Sequence, residues 1–148
     1  PRSDMSMQSI RRWMSRDETA ARQLMWENES FVFFRRVAVE DASLGAPGAQ
    51  NVNLTPLRSL AVDRTLWPFG LPVWLDLMAP SGQNAALQPF RHLMVAQDTG
   101  SAIKGHARGD VYWGWGEQAA LTAGHMASPG EMTVLLPRPI AGRLEARP

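Results

Sequence analysis

The sequence predicts a mainly β fold, a compact barrel of six or so short strands, with two helices ahead of it and one helix before the last strand. Three observations carry this. Short runs rich in β-branched and aromatic residues recur along the chain, bounded by Gly, Pro, Asn and Asp. The Pro and Gly punctuation argues against a parallel, doubly wound sheet. Apolar residues at helical spacing appear near the start and once more near the end.

Taken in order, Met7, Ile10, Trp13 and Met14 mark a helix over residues 4–14, with Ser3 or Asp4 as its cap. Asp17-Glu18-Thr19 starts a second helix, its acids at the positive end and Ala21, Leu24 and Met25 on one face. Asn28-Glu29-Ser30 breaks that pattern, and Phe31-Val32-Phe33-Phe34 reads as a strand. Residues 40–53 form a loop by composition. Ser59 to Asp63 and Leu71 to Leu75 are short strands around the turn Trp67-Pro68-Phe69-Gly70. A second loop, Ala79 to Gln88, leads into a strand from Arg91 to Ala96. Val111-Tyr112-Trp113 is the next strand, Glu117 to Ala127 a helix, and Met132 to Leu136 the last strand. The tail, Arg138 to Pro148, reads as loose.

With 148 residues the chain has the length of one domain, and a domain of this size buries roughly 68–70% of its unfolded surface. There is no cysteine, which removes disulfides, thiolate metal sites and a cysteine nucleophile. The formal net charge is +1 and no Lys/Arg run marks a nucleic-acid footprint, so the six tryptophans read mostly as core. No apolar stretch reaches the roughly 18–20 residues needed to span a bilayer, and no signal peptide opens the chain. Without an initiator Met, Pro1-Arg2-Ser3-Asp4 reads as the interior of a longer precursor.

The chemistry concentrates between Gln97 and Gly116. Asp98 and Asp110 stand at the two ends of a Gly- and Ser-rich loop between apolar strands, and Lys104, the only lysine, lies between them. His92, His106 and His125 are scattered, so no metal site is expected, nor any cofactor. Thr99 to Gly105 lacks the order of a phosphate loop. Asp98-Thr99-Gly100 matches the triplet of aspartic peptidases, which in so short a chain would require a dimer. The remaining possibility is acid/base work by the carboxylates. Val111-Tyr112-Trp113 offers Asp110 an apolar wall, and Asp98 nearby a like charge, either of which favours a protonated acid. Against this stands the ordinary use of Asp to cap turns and bind loop amides. The residues alone leave these readings open.

The same stretches carry a resemblance. Leu54 to Asp63, Pro68 to Trp74, Met94 to Gly100, and Ile103-Lys104-Gly105 with Gly109-Asp110 resemble the three-aspartate (3D) domain of the membrane-bound lytic murein transglycosylase A family. Ser6 to Trp13 and Asn28 to Arg35 are similar to that family's preceding helices and strand, so the likeness runs from Ser6 to Pro137.

The resemblance implies a six-stranded double-psi β-barrel over residues 41–148, with residues 1–40 as a helical lead-in and first strand. It also implies cleavage of the MurNAc–GlcNAc β-1,4 bond of peptidoglycan with formation of 1,6-anhydro-MurNAc ends. Asp110 matches the single acid/base, with Asp98 and Asp63 as the other two aspartates, orienting and tuning it. Lys104, Thr99, Gly100, Gly105 and Tyr112 are expected to line the sugar groove, and Trp113 or Trp115 to pack or to stack on a sugar. The expected partner is the peptidoglycan glycan strand, with no nucleic acid. The family's catalytic unit also has an N-terminal part of the barrel and an inserted domain, so the chain is expected to be a C-terminal piece that works with the N-terminal part of its precursor. The implied location is the periplasm, attached to the outer membrane through an N-terminal lipid anchor absent from these residues. Two other classes compete: a wall-binding double-psi barrel without catalysis, and a dimeric aspartic peptidase using Asp98.

Overall fold

The computed structural model describes residues 7–30, 32–81 and 85–145. The chain divides into two compact units, Pro1–Ala38 and Val39–Pro148.

In the first unit, helix α1 (Met7–Met14) and helix α2 (Glu18–Trp26) lie against each other. Asp17 starts α2 as the acids predict: its backbone is extended and its Oδ1 accepts the Thr19 and Ala20 amides at 3.0 Å. Ala21 is buried. The expected strand at 31–34 is not found. Phe31 lies outside the described residues, and 32–34 are in no strand, with Phe33 and Phe34 92% and 94% exposed. Aromatic propensity alone does not make a strand where no edge supplies ladder hydrogen bonds.

The second unit is built on one five-stranded sheet, in the order β4-β1-β3-β2-β5. Its strands are β1 (Ser59–Val62), β2 (Pro72–Ser81), β3 (Ala86–Asp98), β4 (Gly109–Val111) and β5 (Gly130–Val134). β1 and β3 run parallel at the centre, and the other three pairings are antiparallel. Every residue of β1 is buried. Val73 and Leu75 of β2 alternate inward, while Trp74 between them faces out. With Phe90, Met94 and Ala96 of β3 and Leu60 and Val62 of β1 they form the core.

Five strands are described where the sequence predicts about six, and the mainly β class stands. Several boundaries move. Most of the loop expected over 79–88 is strand, because Ala79 pairs with Gln88, Pro80 with Leu87 and Ser81 with Ala86. Pro80 and Pro89 sit where the ribbon is only two strands wide: β5 pairs with 73–77 and β1 with 95–98, leaving each a side without a ladder. The last strand starts at Gly130, two residues before the predicted start, and pairing continues through the Leu135 amide to the Pro72 carbonyl at 3.0 Å. The tail is a helix, α4 (Arg138–Glu145), and not a loose end. Pro139 falls in its first turn, where an amide has no intrahelical partner to lose. Helix α3 (Gly116–His125) lies where predicted. The tryptophans differ from expectation: none is fully buried, Trp67 and Trp113 pack against the core, and Trp26, Trp74 and Trp115 are exposed. No helix among the described residues is long and apolar enough to cross a membrane.

Candidate active site

Because β1 lies between β3 and β4, Ala61 has Asp98 as its register partner on one side and Asp110 on the other. With strands about 4.8 Å apart, the two aspartate Cα atoms stand about 10 Å from each other. Both residues line a cavity of about 230 Å³, together with Leu54, Ser59, Thr99 and Tyr112. Asp110 also borders a larger cavity of about 570 Å³, lined by Arg108, Val111, Trp113, Met126 and Pro129 among others.

Asp98 owes its place to a bulge. The β1–β3 register steps from Leu60↔Ala96 to Ala61↔Asp98, so Gln97 is the extra residue. A buried relay fixes it, with the Thr55 amide donating to Ser59 Oγ at 2.8 Å and that hydroxyl donating to Gln97 Oε1 at 2.6 Å. The loop at 40–53 then closes over the end of β3. Its Gln50 amide donates to the Gln97 carbonyl at 3.1 Å, and its Ala49 amide to Asp98 Oδ1 at 2.9 Å.

Asp110 does not stand at a strand–loop junction as predicted; it is the middle residue of β4. Nor does the apolar wall expected from 111–113 enclose it. Its side chain is 49% exposed, and its close partner is Arg108, with Nε 2.8 Å from Oδ1 and Nη2 3.4 Å from Oδ2. The alternation of β4 explains the difference: Val111, the next residue of the strand, packs on the core, and Asp110 faces the other way. At this exposure the pair adds only ~0.2–1 kcal/mol to stability. The Arg108 guanidinium is pushed up above its ordinary value, first by the hydrogen bond to Asp110 and then by its charge.

Asp63 is a different kind of aspartate. It follows β1, is only 4% exposed, and lines neither cavity. Oδ2 accepts the Gly105 amide at 3.0 Å, while Oδ1 accepts the Thr65 hydroxyl at 2.7 Å and the Thr65 amide at 3.1 Å. These bonds, the Gly105 amide first, bring its pKa down to about 2, and Lys104 Nζ at 3.8 Å adds a smaller pull. Asp63 is therefore a brace for the loop that carries the site. Gly105 meets it with a φ of +103°, a backbone that side chains disfavour. The same loop is pinned by the Trp67 indole, which donates to the His106 carbonyl at 3.0 Å, and by the buried side chain of Ile103. Thr99 Oγ1 donates to the Val62 carbonyl at 2.8 Å, so its hydroxyl is engaged with β1.

Of the residues predicted to line a groove, Thr99 and Tyr112 border the aspartate cavity, and Gly100 packs beside Ile103. Lys104 is set back, with its ammonium on Asp63 and 62% of its side chain exposed. Tyr112 lies directly over Gly45, and burial pushes its hydroxyl pKa up. Trp113 packs near Phe90, at 5.1 Å between ring centroids, whereas Trp115 is exposed. Sequence reasoning missed Arg108; the available signal was an opposite charge two residues before Asp110. Among the described residues no cluster of three His, Asp or Glu could hold a metal ion.

The comparisons with known proteins place the chain in a family. Residues 58–136, more than half of the chain, match the 3D domain, and residues 1–35 match the MltA specific insert domain. The chain belongs to the membrane-bound lytic murein transglycosylase A family. It is 36% identical over 146 residues to the Escherichia coli K12 enzyme of that name, covering 97% of this chain and 38% of the relative. A Vibrio cholerae relative of the same name is 35% identical over 127 residues, covering 84% of this chain and 33% of its own length. The chain thus spans about a third of the length of these relatives. Among solved structures, a membrane-bound lytic murein transglycosylase from Agrobacterium tumefaciens matches with a TM-score of 0.79 at 38% identity, over 97% of this chain and 38% of that one. E. coli MltA with bound chitohexaose matches with a TM-score of 0.73 at 34% identity, over 89% and 39%. The likeness to these family members supports a barrel-like fold.

Proposed function

We propose that this chain carries the acid/base centre of a peptidoglycan lytic transglycosylase, with Asp110 as its single proton-transfer group. The observation that carries this reading is the placement of Asp110: a solvent-open carboxylate between two cavities, with Asp98 on the opposite flank of Ala61. The E. coli structure with chitohexaose adds that a family member takes a β-linked amino-sugar chain.

In this reading the protonated Asp110 donates to the glycosidic oxygen of the MurNAc–GlcNAc β-1,4 bond, and the bond to the muramoyl C1 breaks. The C6 hydroxyl of the same muramoyl unit closes on C1 and gives its proton to the Asp110 carboxylate. The product is a 1,6-anhydro-MurNAc end, no water is consumed, and the acid is regenerated. One carboxylate suffices because the nucleophile is part of the substrate and already in place, unlike the water of two-carboxylate glycosidases. Asp98 orients the site from across Ala61, and Asp63 holds the Gly105 loop. Thr99, Gly100 and Tyr112 shape the wall facing the glycan, and Gly105 and Lys104, set back on Asp63, hold the loop behind it.

The same reading makes the fold a six-stranded double-psi β-barrel, five of whose strands are described here, working with the N-terminal part of its precursor. It places the full-length protein in the periplasm, lipid-anchored to the outer membrane.

The test is mass spectrometry of soluble products from purified sacculi. Anhydro-muropeptides released by the wild type and absent with a folded Asp110→Asn variant are expected. An Asp110→Asn chain that still releases them overturns the assignment of Asp110. Sacculus binding without product by the wild type favours the non-catalytic wall-binding module instead.

A further inference from the structure

We propose that Arg108 is the positioning residue of Asp110: it keeps hold of Oδ1 through Nε and yields Oδ2 to the glycosidic oxygen when a glycan enters. The inference deepens the acid/base reading and rests on it.

The two contacts of the fork are unequal. Nε lies 2.8 Å from Oδ1, a full charge-assisted hydrogen bond, whereas Nη2 lies 3.4 Å from Oδ2, near the limit of one. Oδ2 is therefore the oxygen released at smaller loss. Arg108 lies one residue ahead of β4 and two before Asp110, and the fork itself puts the two side chains on one side of the chain. Both border the 570 Å³ cavity, and Asp110 alone reaches the 230 Å³ one as well.

Both side chains are about half exposed, so the ion pair contributes little to stability and its worth is geometric. An aspartate on a strand can otherwise turn its carboxylate freely about its own side-chain bonds. Held at Oδ1, it presents one oxygen in one direction, and that oxygen both delivers the proton and takes back the one from the C6 hydroxyl. A lysine at 108 would supply the charge without the two-point geometry.

The test compares Arg108→Gln and Arg108→Lys with wild type in sacculus digestion. Arg108→Gln is expected to lower kcat by about tenfold to a hundredfold, the effect of a misplaced catalytic group, with KM changed less than about twofold. Arg108→Lys should recover only part of the loss, and guanidinium added to Arg108→Ala should restore some turnover. Wild-type kcat in Arg108→Gln, or full recovery with Lys, overturns the proposal. An independent measurement needs no turnover: the Arg108 Nε–H resonance in ¹H–¹⁵N spectra should move when Asp110 becomes Asn in a folded chain. A resonance that stays in place overturns the proposal. If Asp110→Asn digests sacculi like wild type, the acid/base reading falls, and the resonance still reports on the fork.

Discussion

The Gly105 amide sits 3.0 Å from Oδ2 of Asp63, so a carboxylate at the end of β1 holds a loop 42 residues further along the chain. This bond and the two from Thr65 favour the ionised acid, which is why the Asp63 pKa lies at about 2, against an ordinary 3.8. A pKa depressed by folding adds stability that is complete above the ordinary value and disappears as pH falls through the folded one. Acid unfolding of the wild type should therefore steepen between about pH 4 and pH 2. In Asp63→Asn the stability at neutral pH should be lower and its dependence on pH across that window flatter. Urea unfolding at a series of pH values measures both, and an unchanged slope in the variant would contradict the brace.

Gly45 has no room for a side chain. A Cβ there would overlap the phenol of Tyr112, with the ring carbon Cε1 2.8 Å away and the hydroxyl oxygen closer still. Gly45→Ala should destabilise by about 1–3 kcal/mol, the usual effect of overpacking, and push Tyr112 into the aspartate cavity. In a double-mutant cycle, Tyr112→Phe should relieve part of that loss, since the hydroxyl is the nearest group. Additive effects of the two substitutions would show that the contact is absent in solution.

What was legible in the sequence follows what is local. Asp17 as a helix cap, β1 as an apolar strand and Asp98 at a strand end can each be read from neighbouring residues. The motif around Asp63, Asp98 and Asp110 was legible only as a pattern shared with a family, because Asp98 and Asp110 are brought to either side of Ala61 by the pairing of β1 and not by sequence proximity. The pairing of Ala79–Ser81 with Ala86–Gln88 was not legible, because whether a proline can sit in a strand depends on which edge is paired. Phe33 and Phe34 misled in the opposite way, having strand propensity without an edge to pair with. Arg108 was passed over because a short-range ion pair looks like any solvated charge until the fold shows its guanidinium on Asp110.

Ser59 should prove more sensitive than a serine usually is. It is buried, and its hydroxyl both accepts the Thr55 amide and donates to Gln97 Oε1. Ser59→Ala leaves those two groups without their partner, which corresponds to about 1–3 kcal/mol of lost stability. Because Gln97 is the bulged residue that turns the chain at Asp98, turnover should drop together with the thermal midpoint. Ser59→Thr, which keeps the hydroxyl, should restore more of the activity than Ser59→Cys. Equal activity in Ser59→Ala and wild type would separate the relay from the site.

Asp98 combines an anchor with a charge, and two substitutions divide them. Its Oδ1 accepts the Ala49 amide at 2.9 Å, which an asparagine oxygen can also do. Asp98→Asn should therefore fold like wild type and keep the loop at 40–53 in place, while removing the negative charge across Ala61 from Asp110. Asp98→Ala loses the anchor as well, and should lower stability by about 0.5–1.5 kcal/mol, the net worth of one hydrogen bond. If Asp98 tunes proton transfer, both variants lose turnover by a similar factor although only the alanine variant loses stability. If Asp98 serves only to hold the loop, Asp98→Asn digests sacculi at the wild-type rate. Denaturant unfolding and product release, measured on the same two preparations, decide between them.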